Sequence, residues 1–326
     1  MPSQSDRSPR QPAALLIAGP TASGKSALAL RLARRLDGLL INADSMQLYR
    51  DLQILTARPS LEEESLAPHR LFGCVDGSVN HSVGLWLERA GAALEEARSL
   101  RLLPIFVGGT GLYFKALTQG LSEIPPVPEA IRTELRLEAQ ERSTPDLHRE
   151  LGLCDPLMAA RLKPNDSQRI LRALEIFRAT GRSLATFQNA RSLPLLDMHA
   201  CAAVFLAPDR DDLNRRIDAR FDAMLAEGAL AEVERLGARG LDPSLPVMRA
   251  HGVPHLLKAL RGHMAMEEAI RQSKLDTRHY AKRQFTFARH QLPDFVWAAP
   301  EAGERALTRT LFNSENQGEV AYPHAT

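Results

Sequence analysis

Cysteine is scarce in this chain of 326 residues: Cys74, Cys154 and Cys201 stand far apart and form no C-x-x-C pair. That spacing excludes a disulfide framework, argues against a structural zinc site and suits a reducing cytoplasm. Long apolar runs are also missing. No stretch approaches the length of a membrane span, so no membrane partner is expected. An excess of one charge is lacking too, because the net charge is only +2. Bulk charge therefore gives no argument for a nucleic-acid partner, and the local distribution has to carry it. What remains, 44% apolar and 25% charged residues, is ordinary globular composition. The length suits one large domain, or one core with a substantial insertion. The chain contains no internal repeat and no low-complexity block.

What is present begins with Ala13–Ala18, an apolar run of strand length. Arg7 and Arg10 precede it and superficially mimic a secretion signal. The run is too short for that and leads directly into a loop, so it reads as a buried strand. The loop is Gly19-Pro20-Thr21-Ala22-Ser23-Gly24-Lys25-Ser26, followed by the helical periodicity of Ala27 to Leu32. This is the G-x-x-x-x-G-K-[ST] pattern in its proper strand–loop–helix setting. Backbone N–H groups and the positive end of the following helix form a cradle for phosphate oxygens. Lys25 adds a point charge, and the Ser26 hydroxyl suits Mg²⁺. Taken alone, the loop points to a nucleotide such as ATP.

Three further apolar runs read as strands: Gly38–Ser45, Leu102–Val107 and Ala200–Leu206. Their alternation with helical stretches predicts an α/β fold, a three-layer phosphate-loop core with a parallel sheet flanked by helices. The core is expected over 13–120 and 198–297, where helices continue from Arg210 to about His290. A mainly helical insertion is expected over 121–197, after the break at Pro125-Pro126-Val127-Pro128. Residues 1–12 and 298–326 read as loose tails.

Asp44 follows the second strand, which places its carboxylate at the C-terminal edge of the sheet, near the phosphate loop. There it can bind Mg²⁺, take a proton from a substrate amine, or merely cap the next helix. Gln47, one turn on, offers a donor and an acceptor suited to the edge of a base. Val107-Gly108-Gly109-Thr110-Gly111 allows either a close backbone approach to a ligand or simply a tight strand-to-helix connection. Two cationic runs, Arg161 to Arg172 and Arg271 to Arg289, favour a polyanionic partner over a merely solvated face. His251, His255, His279 and His290 have no metal-ligand spacing and are read as structural.

In order along the chain, Gly19–Ser26, Asp44–Arg50, Val107–Tyr113, Pro164–Glu175 and Thr277–Gln284 resemble the motifs of the tRNA dimethylallyltransferases. The resemblance covers about Ala13 to Trp297. It implies that Gly19, Thr21, Ala22, Ser23, Gly24, Lys25, Ser26 and Arg278 hold the diphosphate of dimethylallyl diphosphate. It makes Asp44 the base that accepts a proton from N6 of adenosine 37, beside the tRNA anticodon, with Thr110 in the reaction channel. Asp44, Ser45, Met46, Gln47, Thr110, Arg132, Gln168, Arg169, Ile170, Leu171 and Arg172 match positions that contact tRNA. Mg²⁺ on Ser26 is the implied cofactor, and a cytoplasmic monomer acting on the anticodon loop is expected. Leu55 and Arg58 stand where the family usually has Gly and Lys. Ala250–His255 and Phe287-Ala288 also depart from its usual wording. The rival readings are an adenylate isopentenyltransferase, a small-molecule phosphate-loop kinase, and an RNA-binding protein with a relic loop.

Overall fold

The computed structural model of the protein describes residues 12–187 and 191–313. They divide into two compact units, one within Met1–Thr118 and Leu195–Thr326, the other Gln119–Pro194.

The first unit is built on six strands: β1 (Ala14–Ala18), β2 (Gly38–Asn42), β3 (His69–Arg70), β4 (Leu103–Gly108), β5 (Cys201–Leu206) and β6 (Val296–Ala298). They pair in the order β3-β2-β4-β1-β5-β6, every pair parallel. Parallel neighbours need crossover connections, and helices supply them. The chain contributes α1 (Lys25–Arg35), α2 (Leu61–Leu66), α3 (Val83–Ser99) and α4 (Gly111–Gln119) before the second unit. The second unit holds α5 (Glu129–Gln140), α6 (Thr144–Cys154), α7 (Pro156–Ala159), α8 (Ser167–Thr180) and α9 (Leu184–Phe187). After it come α10 (Arg210–Ala226), α11 (Ala229–Ala238), α12 (Val253–Leu260), α13 (Met266–Gln291) and α14 (Gly303–Asn313).

The central strands read as unbroken apolar runs because both faces of the sheet are covered. Leu16, Ala18, Leu39, Ile41, Phe106 and Ala203 point to one face, where Trp86 and Ala90 of α3 pack. Leu15, Ile17, Leu40, Ile105, Val107 and Val204 point to the other, against Leu28 and Leu32 of α1 and Leu307 of α14. Trp86 stacks on Tyr113 at 4.1 Å between centroids and donates its indole N–H to the Asn42 carbonyl at 2.9 Å. That bond ties α3 to the end of β2. Glu232 of α11, buried, accepts the backbone N–H groups of Gln53, Ile54 and Leu55 and so anchors the segment beyond β2.

The second unit is a helical bundle with its own core, in which Leu135, Leu147, Leu151, Ile170, Leu174 and Phe187 are buried together. An antiparallel bridge between Ser122 and Arg191 joins its two ends. Arg178 binds Glu138 at 2.7 and 2.9 Å and Glu150 at 2.8 Å, joining α8 to α5 and α6.

The loose tail expected from 298 onward is corrected over its first part. Ala298 closes β6, and α14 buries Leu307 in the sheet's second face. Gly303 permits this, since a Cβ there would stand 2.5 Å from Leu206 Cδ2 and 3.1 Å from Leu28 Cδ2. The expected tail 1–12 falls outside the described residues except for its last residue, as do 314–326.

Two glycines test this packing in opposite directions. At Gly108 a Cβ would lie 2.1 Å from both the carbonyl carbon and oxygen of Ala43. Gly108→Ala is therefore expected to destabilise by about 3 kcal/mol or more in urea unfolding. Gly152, inside α6, has nothing within 4 Å of a built Cβ. Gly152→Ala is expected to stabilise by about 0.5–1 kcal/mol.

Candidate active site

In a sheet of this kind, ligands bind beyond the carboxyl ends of strands, where successive connections leave in opposite directions. β1 lies between β4 and β5, while the chain's next strand, β2, lies beyond β4. The loops after β1, β2 and β4 therefore converge.

The loop after β1 turns through left-handed backbone at Ala22 (φ 60) and Gly24 (φ 86) before α1 starts at Lys25. Lys25 is buried and donates to the Pro20 carbonyl at 3.1 Å. Burial pushes its pKa down to about 8; Asp44 opposes that fall and Arg220 adds to it. The Ser23 hydroxyl is buried with no hydrogen-bond partner among the described residues. Ser23 to Ser26 line a cavity of about 410 Å³ together with Arg58 and Arg220. Lys25, Arg58, Arg220, an orphaned hydroxyl and a helix N-terminus without acidic residues in its first turn suit an anion, although the exposed Glu63 and Glu227 line the same cavity.

Asp44, at the end of the β2 connection, does not cap a helix. Its Oδ1 accepts the N–H of Met46 at 3.0 Å in a turn, and Asn42 braces it through Oδ1 on the Asp44 N–H at 2.8 Å. Oδ2 lies on the Gly109 side, where a built Cβ would stand 3.2 Å from it. Thr110 holds this arrangement: its N–H donates to the Ala43 carbonyl at 3.1 Å, and its Oγ1 accepts the Ser45 N–H at 2.9 Å. Gly108 is thus a close approach of one protein backbone to another, and Gly109-Thr110 also serves as the short connection from β4 into α4.

Asp44, Ser45, Met46 and Thr21 line a second cavity of about 290 Å³, walled by Leu55, Ile217, Phe221 and Met224 and by His251 and Tyr280. The Tyr280 phenol lies in hydrogen-bonding range of Thr110, and its pKa is pushed far up, by burial first and then by the Asp44 carboxylate. His251 packs its ring 4.7 Å from that of Tyr280. Burial, reinforced by Arg283, lowers its pKa, so it is a neutral imidazole facing the cavity.

Several other expectations change. Gln47 spends both amide hydrogens on the carbonyls of Thr56 (3.0 Å) and Ala57 (2.9 Å), so it braces a loop instead of reading a base edge. Arg278 forms a two-point ion pair with Asp218 of α10, one bond at 3.0 Å, and lines neither cavity. The cation that lines both is Arg220, which sequence reasoning missed. Burial lowers its pKa, opposed by Asp44. A signal was available: Arg220 sits in the apolar stripe Leu213, Ile217, Phe221 and Met224 of one helix.

The remaining expected contacts belong to the second unit. Arg132 on α5 pairs with Glu129 at 3.4 Å. On α8, Gln168 and Arg169 are exposed, Leu171 is partly buried, and Arg172 bonds Glu175 at 3.1 Å. Ile170 is fully buried in that unit's core, so its side chain packs and does not meet a ligand. Of the departures, Leu55 lines the second cavity and Arg58 fills the space beside Gly73, where a Cβ would stand 1.8 Å from its Nη1. Phe287 packs on Gly111 in the same way, 2.3 Å from a built Cβ.

The family model described as IPP transferase matches residues 47–291. A tRNA dimethylallyltransferase of Beijerinckia indica is 74% identical over 291 residues, covering 89% of this chain and 96% of the relative. Among solved structures, a tRNA isopentenylpyrophosphate transferase from Bacillus halodurans shares 32% identity with a TM-score of 0.66, covering 92% of this chain and 97% of the other. A eukaryotic dimethylallyltransferase acting on tRNA shares 29% identity at a TM-score of 0.73, covering 88% and 73%. By sequence and by fold, this chain belongs to the IPP transferase family.

Proposed function

We propose that the chain transfers the dimethylallyl group of dimethylallyl diphosphate to N6 of adenosine 37 in tRNA, releasing diphosphate. One observation carries the reading. The anion cavity and the apolar, carboxylate-closed cavity adjoin, with Arg220 and Met224 lining both. A prenyl diphosphate has that division of polarity, anionic at one end and branched hydrocarbon at the other. ATP would leave the apolar walls of Ile217, Phe221 and Met224 facing a polar ribose, which disfavours the kinase reading. The tRNA-modifying relatives and the exposed cations Arg161, Lys163 and Arg169 favour a macromolecular acceptor over free adenylate.

In this scheme the amides of Gly19, Ala22 and Gly24, with Lys25 and Arg220, take up the negative charge that grows on the bridging oxygen as its bond to the allylic carbon breaks. The N6 lone pair forms the new C–N bond, and the N6 proton passes to Asp44 Oδ2. Thr110, fixed on Ser45, stands beside both. The base has to leave its stack to reach the cavity, the usual way that proteins read loop nucleotides. Mg²⁺ fits the donor set: Ser26 is exposed at the start of α1, and the described residues contain no cluster of three His, Cys, Asp or Glu that would hold a metal alone. When bound, the ion would be held by the Ser26 hydroxyl and would supply further charge neutralisation for the diphosphate.

We assign the second unit, with Arg132, Gln168, Arg169, Leu171 and Arg172, to tRNA binding. No helix among the described residues is long and apolar enough to cross a membrane. We take the protein to act as a monomer in the cytoplasm.

The test is incubation with an unmodified tRNA transcript and dimethylallyl diphosphate, followed by mass analysis of nucleosides. N6-(dimethylallyl)adenosine is the expected product, and ATP hydrolysis without it would overturn the reading. Asp44→Asn is expected to lower kcat by about 10²- to 10⁴-fold while tRNA still binds in a filter assay. Lys25 sets a pH dependence. With its pKa near 8 in the free protein, Lys25 loses its proton above that value, whereas an adjacent anion favours the charged form. Binding of inorganic diphosphate above pH 8 then takes up a proton, so affinity falls as pH rises, by up to about tenfold per unit. Calorimetry should find this component in the wild type and not in Lys25→Met.

A further inference from the structure

The pairing of β1 with β4 ends at Ala18 and Gly108. Beyond that pair the two chains separate, one into the phosphate loop and the other into the Gly109-Thr110 turn. A single side chain spans the gap. Gln284, from the middle of α13, is buried, with 7% of its surface exposed. Its Oε1 accepts the N–H of Thr21 at 3.2 Å, and its Nε2 donates to the carbonyl of Gly109 at 2.8 Å. The orientation of the carboxamide is fixed chemically, because an N–H requires the oxygen and a carbonyl requires the nitrogen. The approach is tight: a Cβ at Gly109 would stand 2.2 Å from Nε2.

We infer that Gln284 is a positioning residue that sets the separation between the diphosphate cradle and the Asp44–Thr110 side of the site. It continues the ladder where backbone pairing stops. Thr21 lines the cavity that Asp44 closes, and the Gly109 turn carries Thr110, so the bridge joins the half of the site that holds the leaving group to the half that holds the acceptor. This assignment rests on the transfer proposed above. Misplacement of reacting groups by about 1 Å costs up to about 10²-fold in rate, so the bridge acts on turnover more than on binding of either substrate.

Only a group with a donor and an acceptor on one planar end serves both loops. Gln284→Glu exploits this, since a protonated carboxyl has both and an ionised one has no donor. Gln284→Ala is expected to lower kcat by about 10- to 100-fold with KM for dimethylallyl diphosphate and tRNA changed less than about threefold. For Gln284→Glu at pH 7.5, where an ordinary carboxyl is ionised and offers the Gly109 carbonyl no donor, kcat is expected to fall at least as far as in Gln284→Ala. An unchanged kcat in Gln284→Glu, or a loss confined to KM, would overturn the inference. Should the charged variant fail to fold, hydrogen exchange of the Thr21 amide decides: at least about tenfold faster exchange in unliganded Gln284→Met is expected, and unchanged exchange overturns it. Wild-type protein in the same assay keeps the two proposals apart. No prenylated product from wild type would refute the transfer itself, while wild-type turnover with unchanged kcat in both variants refutes the bridge alone.

Discussion

The site depends first on how closely the backbone after β2 approaches the backbone of β4. Ala43 donates to the Val107 carbonyl at 2.8 Å and accepts the Thr110 N–H at 3.1 Å. Gly108 lies flat against it, with no room for a side chain. Because of this contact Asp44 and Thr110 emerge side by side, and because β1 is the other neighbour of β4, the phosphate loop opens next to them. A sheet in sequential order would have placed another strand between these loops. The strand order, not any one motif, brings a phosphate cradle and a carboxylate to one place.

The electrostatics follow from that geometry. Lys25 and Arg220 are held where burial works against their charge, and Asp44 is the carboxylate that offsets both. Glu63 and Glu227, both exposed, also line the phosphate-loop cavity, so it is the burial of Lys25 and Arg220, and not an excess of cations, that suits them to a diphosphate. The same two cations then favour charge moving onto the leaving oxygen, so binding and bond breaking draw on one arrangement. The α10 side of the adjoining cavity presents Ile217, Phe221 and Met224, the apolar setting that suits the prenyl end of the proposed donor.

Much of this was legible in the sequence, for local reasons. β1, β2, β4 and β5 announce themselves as apolar runs because both faces of the sheet are covered, and the phosphate loop is contiguous. β3 and β6, with two and three residues, are too short to show a period. α14 was read as tail because its one described core residue, Leu307, stands among polar neighbours. The site was legible where a motif is local and illegible where partners are remote. Arg278 and Arg220 are both cations on helices, and the difference between them is Asp218, 60 residues from Arg278 in the chain. Gln47 looked free to read a base until the carbonyls of Thr56 and Ala57 were in place.

The central claim is that one cavity pair holds donor and acceptor together, with the N6 amine presented to Asp44. A crystal structure of the protein with an anticodon stem–loop and a thio analogue of dimethylallyl diphosphate, sulfur replacing the bridging oxygen, tests it most directly. The account predicts the diphosphate against the amides of Gly19–Ser26 and adenine N6 within about 3.2 Å of the Asp44 carboxylate. An adenine bound away from Asp44, or a diphosphate bound outside the loop, would contradict it.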